Sequence, residues 1–318
     1  EYFAPSDHPG QVVEITYDSR DYTDPAEPAI QKTAHVYLPY DYDETDADTR
    51  YNILYLMHGW TMTAGDFFDP AQSDIVPMLD HMIENGDVPP VIVVCATFDA
   101  QNQSQGFSRS VEELSVFHRD LRENLIPFVE SRYHTYAQDV TEEGLQASRE
   151  HRAFGGFSLG AVTTWYQFIY NLDYIKYFVP MSGDCWIMGT YSGLYQPVET
   201  VDYLEQVVSD GGWSEDDFYL YQGIGTSDPI WDQTDSQITV LEGCIGCGVC
   251  QSVCPVGNFY LEGGKARRKQ TTCEFCLACA QNCPQKAIGL SIADKNPKAR
   301  YRNPHISLQE IIDANRNS

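Results

Sequence analysis

The chain has 318 residues, with 20 Lys and Arg against 46 Asp and Glu, and its formal net charge of −26 argues against a nucleic-acid partner, because phosphate binding wants a basic face. No apolar run approaches the roughly 18 residues that a membrane span needs, so no membrane partner is expected. The charge is unevenly spread: residues 1–242 carry 10 basic and 41 acidic side chains, a net of −31, whereas residues 243–318 carry 10 basic and 5 acidic, a net of +5. Eight of the 10 cysteines fall between Cys244 and Cys283 and all five tryptophans precede them, so the composition predicts two domains, 1–242 and 243–318. The first is long enough for a full α/β core; the second is small enough to need staples.

In chain order, Gln11 to Tyr17 and Thr33 to Leu38 alternate apolar and polar residues and predict half-buried, antiparallel opening strands. Tyr51 to Met57 is more uniformly apolar and predicts the first central strand, running into His58-Gly59-Trp60. Helical spacing follows over Ile75 to Asn85, then a buried-type strand over Val91 to Ala96, and a long amphipathic helix from about Val111 to Tyr133. The strand Arg152 to Phe157, a helix from Leu159 to about Asn171, the strand Tyr177 to Met181, a helix near Val201 to Ser209 and the strand Phe218 to Gly223 complete the alternation. Regular exchange of strand and helix predicts a parallel sheet covered on both faces.

Gly156-Phe157-Ser158-Leu159-Gly160 places a serine between an apolar strand and a helix, with glycines where a tight turn leaves no room for side chains. This context makes it a nucleophile elbow and Ser158 the candidate nucleophile. Cys95, in a strand interior, reads as a buried thiol.

These stretches resemble the feruloyl and acetyl-xylan esterases, relatives of esterase D within the α/β-hydrolase fold. The matching segments are HVYLPYDYD (35–43), YNILYLMHGW (51–60), HRAFGGFSLGA (151–161), MSGDCW (181–186) and GIGTSDPIWDQ (223–233), in the family's order. The resemblance implies Ser158 as nucleophile, Asp228 as the acid that orients the base, and an oxyanion hole from the Leu159 amide and an amide near Trp60. A serine hydroxyl attacks poorly until a base takes its proton, and the oxyanion needs amides already aimed at it. Asp228, in Thr-Ser-Asp-Pro, also suits a turn. Asp184 is the rival acid, His58 reads as a structural residue of the oxyanion loop, and Trp60 and Trp186 suit stacking on a sugar or phenol or plain packing.

The triad order in this fold is serine, acid, histidine. No histidine occurs between His151 and His305, and the resemblance to an esterase stops near Leu241. The expected fold is therefore an α/β-hydrolase sheet lacking its last strand and helix, followed by a small α+β domain. Its esterase activity is expected to be crippled; His305 has the right chain order but the wrong setting.

Beyond Glu242 the run Cys244-x2-Cys247-x2-Cys250-x3-Cys254-Pro255 is repeated as Cys273-x2-Cys276-x2-Cys279-x3-Cys283-Pro284, the spacing of a two-cluster ferredoxin. Three close thiolates reach three irons of one cubane while the fourth ligates the other. This assigns Cys244, Cys247, Cys250 and Cys283 to one [4Fe-4S] cluster and Cys273, Cys276, Cys279 and Cys254 to the second. Zinc is the alternative. CIGCGVCQSVCPVGN (244–258) with RYRNPHISLQEIIDAN (300–315) resembles the carboxy-terminal half of flavodoxin-ferredoxin fusion proteins of anaerobes. Ser307 to Glu310 has a capping-box pattern, with Leu308, Ile311 and Ile312 as an apolar stripe. Arg267, Arg268 and Lys269 suit either an acidic redox partner or a solvated loop.

The functional reading is an iron-sulfur electron-transfer module fused to a disabled serine esterase. An active esterase with a substitute base and a non-functional or artificial chimera are the alternatives. The implied partners are a redox protein or flavin donor and, for the hydrolase, an ester of plant cell-wall polysaccharide. Clusters favour a cytoplasmic setting, while export of the esterase part stays open.

Overall fold

The computed structural model describes residues 2–46, 48–224, 238–269, 273, 276–290, 300, 302 and 306–316. The chain separates into two compact units, the first comprising residues 1–194 and 203–221, the second residues 195–202 and 222–318.

The first unit is built on a seven-stranded sheet: β1 (Gln11–Arg20), β2 (Ala29–Leu38), β3 (Asn52–Met57), β4 (Val91–Ala96), β5 (Arg152–Phe157), β6 (Tyr177–Met181) and β7 (Tyr219–Leu220). Their spatial order is β1-β2-β4-β3-β5-β6-β7. β1 and β2 form an antiparallel hairpin in register from Gln11 opposite Leu38 to Arg20 opposite Ala29, and β2 pairs antiparallel with β4. The remaining pairs are parallel. β3 and β4 are apolar along almost their whole length because both faces are covered. Tyr55 and Met57 pack with Phe117, Leu121 and Leu159, while Leu56 faces Val76 and Leu79 across the other side.

Those covering side chains come from α1 (Ile75–Glu84), α2 (Phe107–Asp120) with the turn that follows it, and α5 (Leu159–Tyr170), with the short α3 (Ile126–Glu130) and α4 (Glu142–Ala147) between α2 and α5. The expected single helix from Val111 to Tyr133 begins at Phe107 and is broken: residues Leu121–Leu125 form a π-helical turn, with the Ile126 N–H bonded to the Leu121 carbonyl. Pro127 is the cause, since it has no N–H with which to continue the ordinary ladder. The six-residue α4 shows no readable periodicity; Thr141 starts it by accepting the Gly144 N–H at 3.2 Å. The last expected strand shortens to two residues, and Tyr219, Leu220 and Tyr221 are exposed along this edge.

A buried ion pair fastens the entry to β5. Arg152 and Glu130 are each 1% exposed and 2.7 Å apart, and Arg152 also donates to the carbonyls of Leu145 and Tyr174 and to Ser148 Oγ. Glu130 in turn accepts from Tyr55 and Thr135, so both charges have their hydrogen-bonding capacity used.

The second unit contains two small antiparallel pairs, β8 (Ile238–Val240) with β11 (Ile288–Leu290) and β9 (Phe259–Glu262) with β10 (Lys265–Arg268). Two short helices, Val249–Ser252 and Ala278–Asn282, carry Cys250 and Cys279 into its core. The helix Leu308–Arg316 opens with the expected capping box: the Glu310 carboxylate accepts the Ser307 N–H at 2.7 Å and Ser307 Oγ accepts the Glu310 N–H at 3.2 Å. Among the described residues no helix is long and apolar enough to cross a membrane.

Candidate functional sites

β4 lies on one side of β3 and β5 on the other, so the connections leaving the carboxyl ends of β3 and β5 run to opposite sides, the switch point at which ligands bind in open α/β sheets. Ser158 sits at that point. Its φ of 57° and ψ of −117° are strained for a residue with a Cβ, at a cost of order 1–3 kcal/mol. The surrounding backbone enforces the strain. A Cβ on Gly156 would lie 2.4 Å from the Gly160 carbonyl oxygen, and one on Gly160 would lie 2.0 Å from that of Met57, so β3, β5 and the start of α5 close on each other only through glycine.

The Ser158 N–H is used by the Met181 carbonyl at 2.9 Å. The next amide, that of Leu159, belongs to the first residue of α5 and has no partner within the helix. Gly59 completes this corner: a Cβ there would stand 3.3 Å from the Ser158 Cβ and from the Phe157 ring. The 59–60 backbone therefore borders the serine, next to Trp60, near which the resemblance implies the second oxyanion donor. The sequence reading assigns Gly59 no role, although a glycine between His58 and Trp60 is the signal for close backbone approach.

Aromatic rings continue from Trp60, which is about half exposed. Its indole meets Phe107 edge-on at 5.2 Å, Phe107 lies 6.2 Å from Trp186, and Trp186 contacts Tyr191 at 4.8 Å. Asp184 braces this row. Its Oδ1 accepts the Trp186 indole N–H at 2.6 Å and its Oδ2 the Leu194 N–H at 3.0 Å. Burial pushes the Asp184 carboxyl above its ordinary pKa although these donors oppose the shift. With both oxygens engaged, Asp184 is committed to the loop.

His58 is fully buried. Its Nδ1 donates to the Gly59 carbonyl at 2.8 Å, leaving Nε2 to accept from Thr97 Oγ1 at 2.7 Å, and burial lowers its pKa. Thus it shapes the 58–60 loop with no nitrogen left for a proton transfer. The other described histidines are held elsewhere: His8 on Glu84, His35 on Glu14, His81 on the Ala4 carbonyl, His118 on Tyr170, His134 beside Tyr42 and His151 on Tyr136. Asp228 and His305 lie outside the described residues. Cys95 is a fully buried strand residue, and burial drives its thiol pKa up.

In the second unit, Cys244, Cys247, Cys250 and Cys283 line one small cavity, together with Ile245, Val249 and Ile288. Burial first, then the charges of Cys244, Cys247 and Cys283, push the Cys250 pKa up to about 11. Cys279 behaves alike: burial first, then Cys276, Cys273 and Cys254, carry it to about 12. The cavity thus unites three cysteines of the first run with the last of the second, and the charges acting on Cys279 come from the reciprocal set. Backbone N–H groups reach the sulfurs: Gly246 and Ala266 donate to Cys244 Sγ at 3.4 and 3.3 Å, Asn258 to Cys254 Sγ at 3.2 Å and Ala287 to Cys283 Sγ at 3.2 Å. On Cys244 burial is outweighed by these donors and by Lys265 and Arg267, and its pKa falls. Thiols arranged about a void, with amides aimed at sulfur, fit the anionic sulfur of a bound cluster. Of the three expected basic residues, Arg268 is tied to the Ile238 carbonyl at 2.8 Å and Arg267 lies 3.8 Å from Glu262.

The Esterase family model matches residues 29–238, and the 4Fe-4S dicluster domain model matches residues 237–299. Over 241 residues, 76% of this chain, the sequence is 34% identical to endo-1,4-beta-xylanase Y of Acetivibrio thermocellus. Over 66 residues it is 36% identical to an uncharacterized ferredoxin of Methanocaldococcus jannaschii, covering 20% of this chain and 86% of that one. The feruloyl esterase module from Clostridium thermocellum, solved in complex with sinapinate, superposes with a TM-score of 0.59 at 36% identity, over 71% of this chain and 70% of that one. The chain spans 20% of the xylanase and 21% of the endo-1,4-beta-xylanase/feruloyl esterase of Xylanibacter ruminicola, about a fifth of these longer proteins. The elbow, the sheet around it and the cysteine-lined cavity agree with these matches: the chain belongs to the Esterase family, in composite with a 4Fe-4S dicluster ferredoxin domain.

Proposed function

We propose that the chain is an iron-sulfur electron-transfer module, residues 243–318, fused to a serine ester hydrolase, residues 1–242, that turns over poorly for want of a triad histidine. The observation that carries the first part is the meeting of Cys244, Cys247 and Cys250 with the distant Cys283 around one cavity. Those four thiolates would hold one [4Fe-4S] cluster, and Cys273, Cys276, Cys279 and Cys254 the other. Bound clusters supply one-electron transfer at low potential. The chain's own contribution is to aim N–H groups at the ligand sulfurs, which favours the thiolate and stabilises added negative charge. The redox partner is a protein or flavin donor.

In the hydrolase, the strained elbow supports Ser158 as the nucleophile, the Leu159 amide and one near Trp60 would face the oxyanion, and Asp228 would be the acid. The aromatic row from Trp60 to Trp186 suits the phenolic acyl group of a plant cell-wall ester, in keeping with the esterase names of the relatives. No described histidine is poised as base. A second reading, an active esterase with a substitute base, is favoured by the intact strained elbow.

The deciding experiment pairs iron and sulfide analysis of anaerobically prepared protein with hydrolysis of an aryl ester by the same sample. We expect about eight irons and eight sulfides. Ester turnover should be reduced to the roughly 10³–10⁴-fold over water that an oxyanion hole and binding leave when a triad member is missing. Fast, saturable hydrolysis abolished by Ser158→Ala would establish the second reading, and a matching loss in His305→Ala would name the base.

A further inference from the structure

Asn258 closes the turn that follows Cys254 and Pro255, and Gly257 makes that turn with a φ of +60°. The residue is 1% exposed. Its backbone N–H donates to Cys254 Sγ at 3.2 Å, and its side-chain Oδ1 accepts the Lys269 N–H at 3.1 Å. Only the oxygen of a carboxamide can accept that hydrogen, so the bond to Lys269 fixes which way the amide faces. The Nδ2 group, with its two donor hydrogens, then points away from Lys269, where it is buried and has no partner among the described residues. An orphaned buried donor has lost its water without gaining a partner, and is destabilising. Such a donor on a residue bonded to the sulfur of Cys254 calls for an acceptor that belongs there.

We propose that Asn258 Nδ2 donates a hydrogen bond to the cluster held by Cys254, Cys273, Cys276 and Cys279, and thereby raises its reduction potential. This assignment rests on the cluster reading given above. The acceptor is a cluster sulfide or ligating thiolate, the only class of group that the cysteine set brings to this place. Reduction adds one electron, and so one negative charge, to the cluster, and its sulfurs share that charge. The donated bond strengthens on reduction, and the reduced state gains more than the oxidised one. Asn258 is thus a residue that tunes one of two otherwise similarly ligated centres, giving the electron a preferred resting place.

The test is voltammetry of the fully loaded protein and of Asn258→Asp and Asn258→Leu, with iron and sulfide counted in each. Asn258→Asp keeps the Oδ1 acceptor for Lys269 and replaces the donor with a negative oxygen. One couple should move down, with at least a tenfold rise in the oxidised-to-reduced ratio at the wild-type midpoint, equivalent to about 59 mV for one electron. The other couple should stay in place. Asn258→Leu should move the same couple in the same direction by less. Should the variants lose their clusters, the wild-type protein labelled with ¹⁵N only at the asparagine side chain gives the same answer, through a ¹⁵N coupling in the pulsed EPR spectrum of the reduced protein. Unchanged couples in fully loaded variants, or no side-chain coupling, overturn the role of Asn258 and leave the clusters standing. Wild-type protein without sulfide overturns both.

Discussion

The two units organise their sites in opposite ways. In the hydrolase, the candidate nucleophile sits on a backbone strained by packing: Ser158 keeps its unfavourable φ because Gly156 and Gly160 let β3, β5 and α5 close around it. The core that does this is large and owes nothing to the chemistry. In the ferredoxin unit, Cys250, Cys273 and Cys279 are themselves core residues, among a handful of small or aliphatic neighbours. There the site is the core. The first unit can therefore keep its fold after losing its function, while the second cannot lose its ligands without losing its fold.

The sharpest break of that contrast is removal of a cluster ligand. Cys254→Ala should cost the second centre and most protection of the unit that contains it, reducing bound iron by about half, although Cys254 lies in the first cysteine run. Hydrogen exchange should show β1 to β6 unaffected. Loss of protection throughout both units would end the contrast.

For the hydrolase, the expected large effect comes from charge rather than from the site. Glu130→Ala leaves Arg152 buried and uncompensated and should cost roughly 3–5 kcal/mol in denaturant unfolding, whereas the iron content should not change. A shift below about 1 kcal/mol would show that the pair is not what anchors β5.

Acid should also separate the two. His118, stacked on Tyr170 at 4.1 Å, has its pKa pushed down to about 4, by burial first and then by Arg122 and Arg119, against the Ser115 carbonyl that favours the charged form. Because the folded value lies below the unfolded value of about 6.5, the unfolded chain takes up the proton first as pH falls. The contribution is therefore complete above pH ~6.5 and is lost between there and pH ~4, on the order of 3 kcal/mol. His118→Gln should flatten this part of the stability profile of the first unit.

The smallest expected effect lies at the sheet edge. Among the described residues β7 ends the sheet, with Tyr219, Leu220 and Tyr221 exposed, an edge open to pairing with another chain. Tyr221→Lys should change unfolding stability by no more than about 0.5 kcal/mol. Sedimentation should show weaker self-association; equal association in both proteins would remove the edge as its cause.

What could be read from the sequence is what depends on local spacing and on side-chain chemistry. The strand at Val91 to Ala96, the elbow at Ser158, the capping box at Ser307 and the two cysteine runs all declare themselves within a dozen residues, because strand burial, tight turns, caps and cluster ligation are short-range demands. Tertiary structure decided what depends on neighbours distant in the chain. It split the helix around Pro127 while keeping its apolar face on the sheet, and shortened the last strand to the two residues that pair with β6. It bound both nitrogens of His58 and both oxygens of Asp184 into the loops that frame Ser158. It also buried Asn258, whose backbone N–H bonds Cys254 Sγ, with its side-chain Nδ2 unpartnered among the described residues. A side chain's availability for chemistry depends on which partners reach it in three dimensions, and the order of residues along the chain does not contain that until the chain has packed.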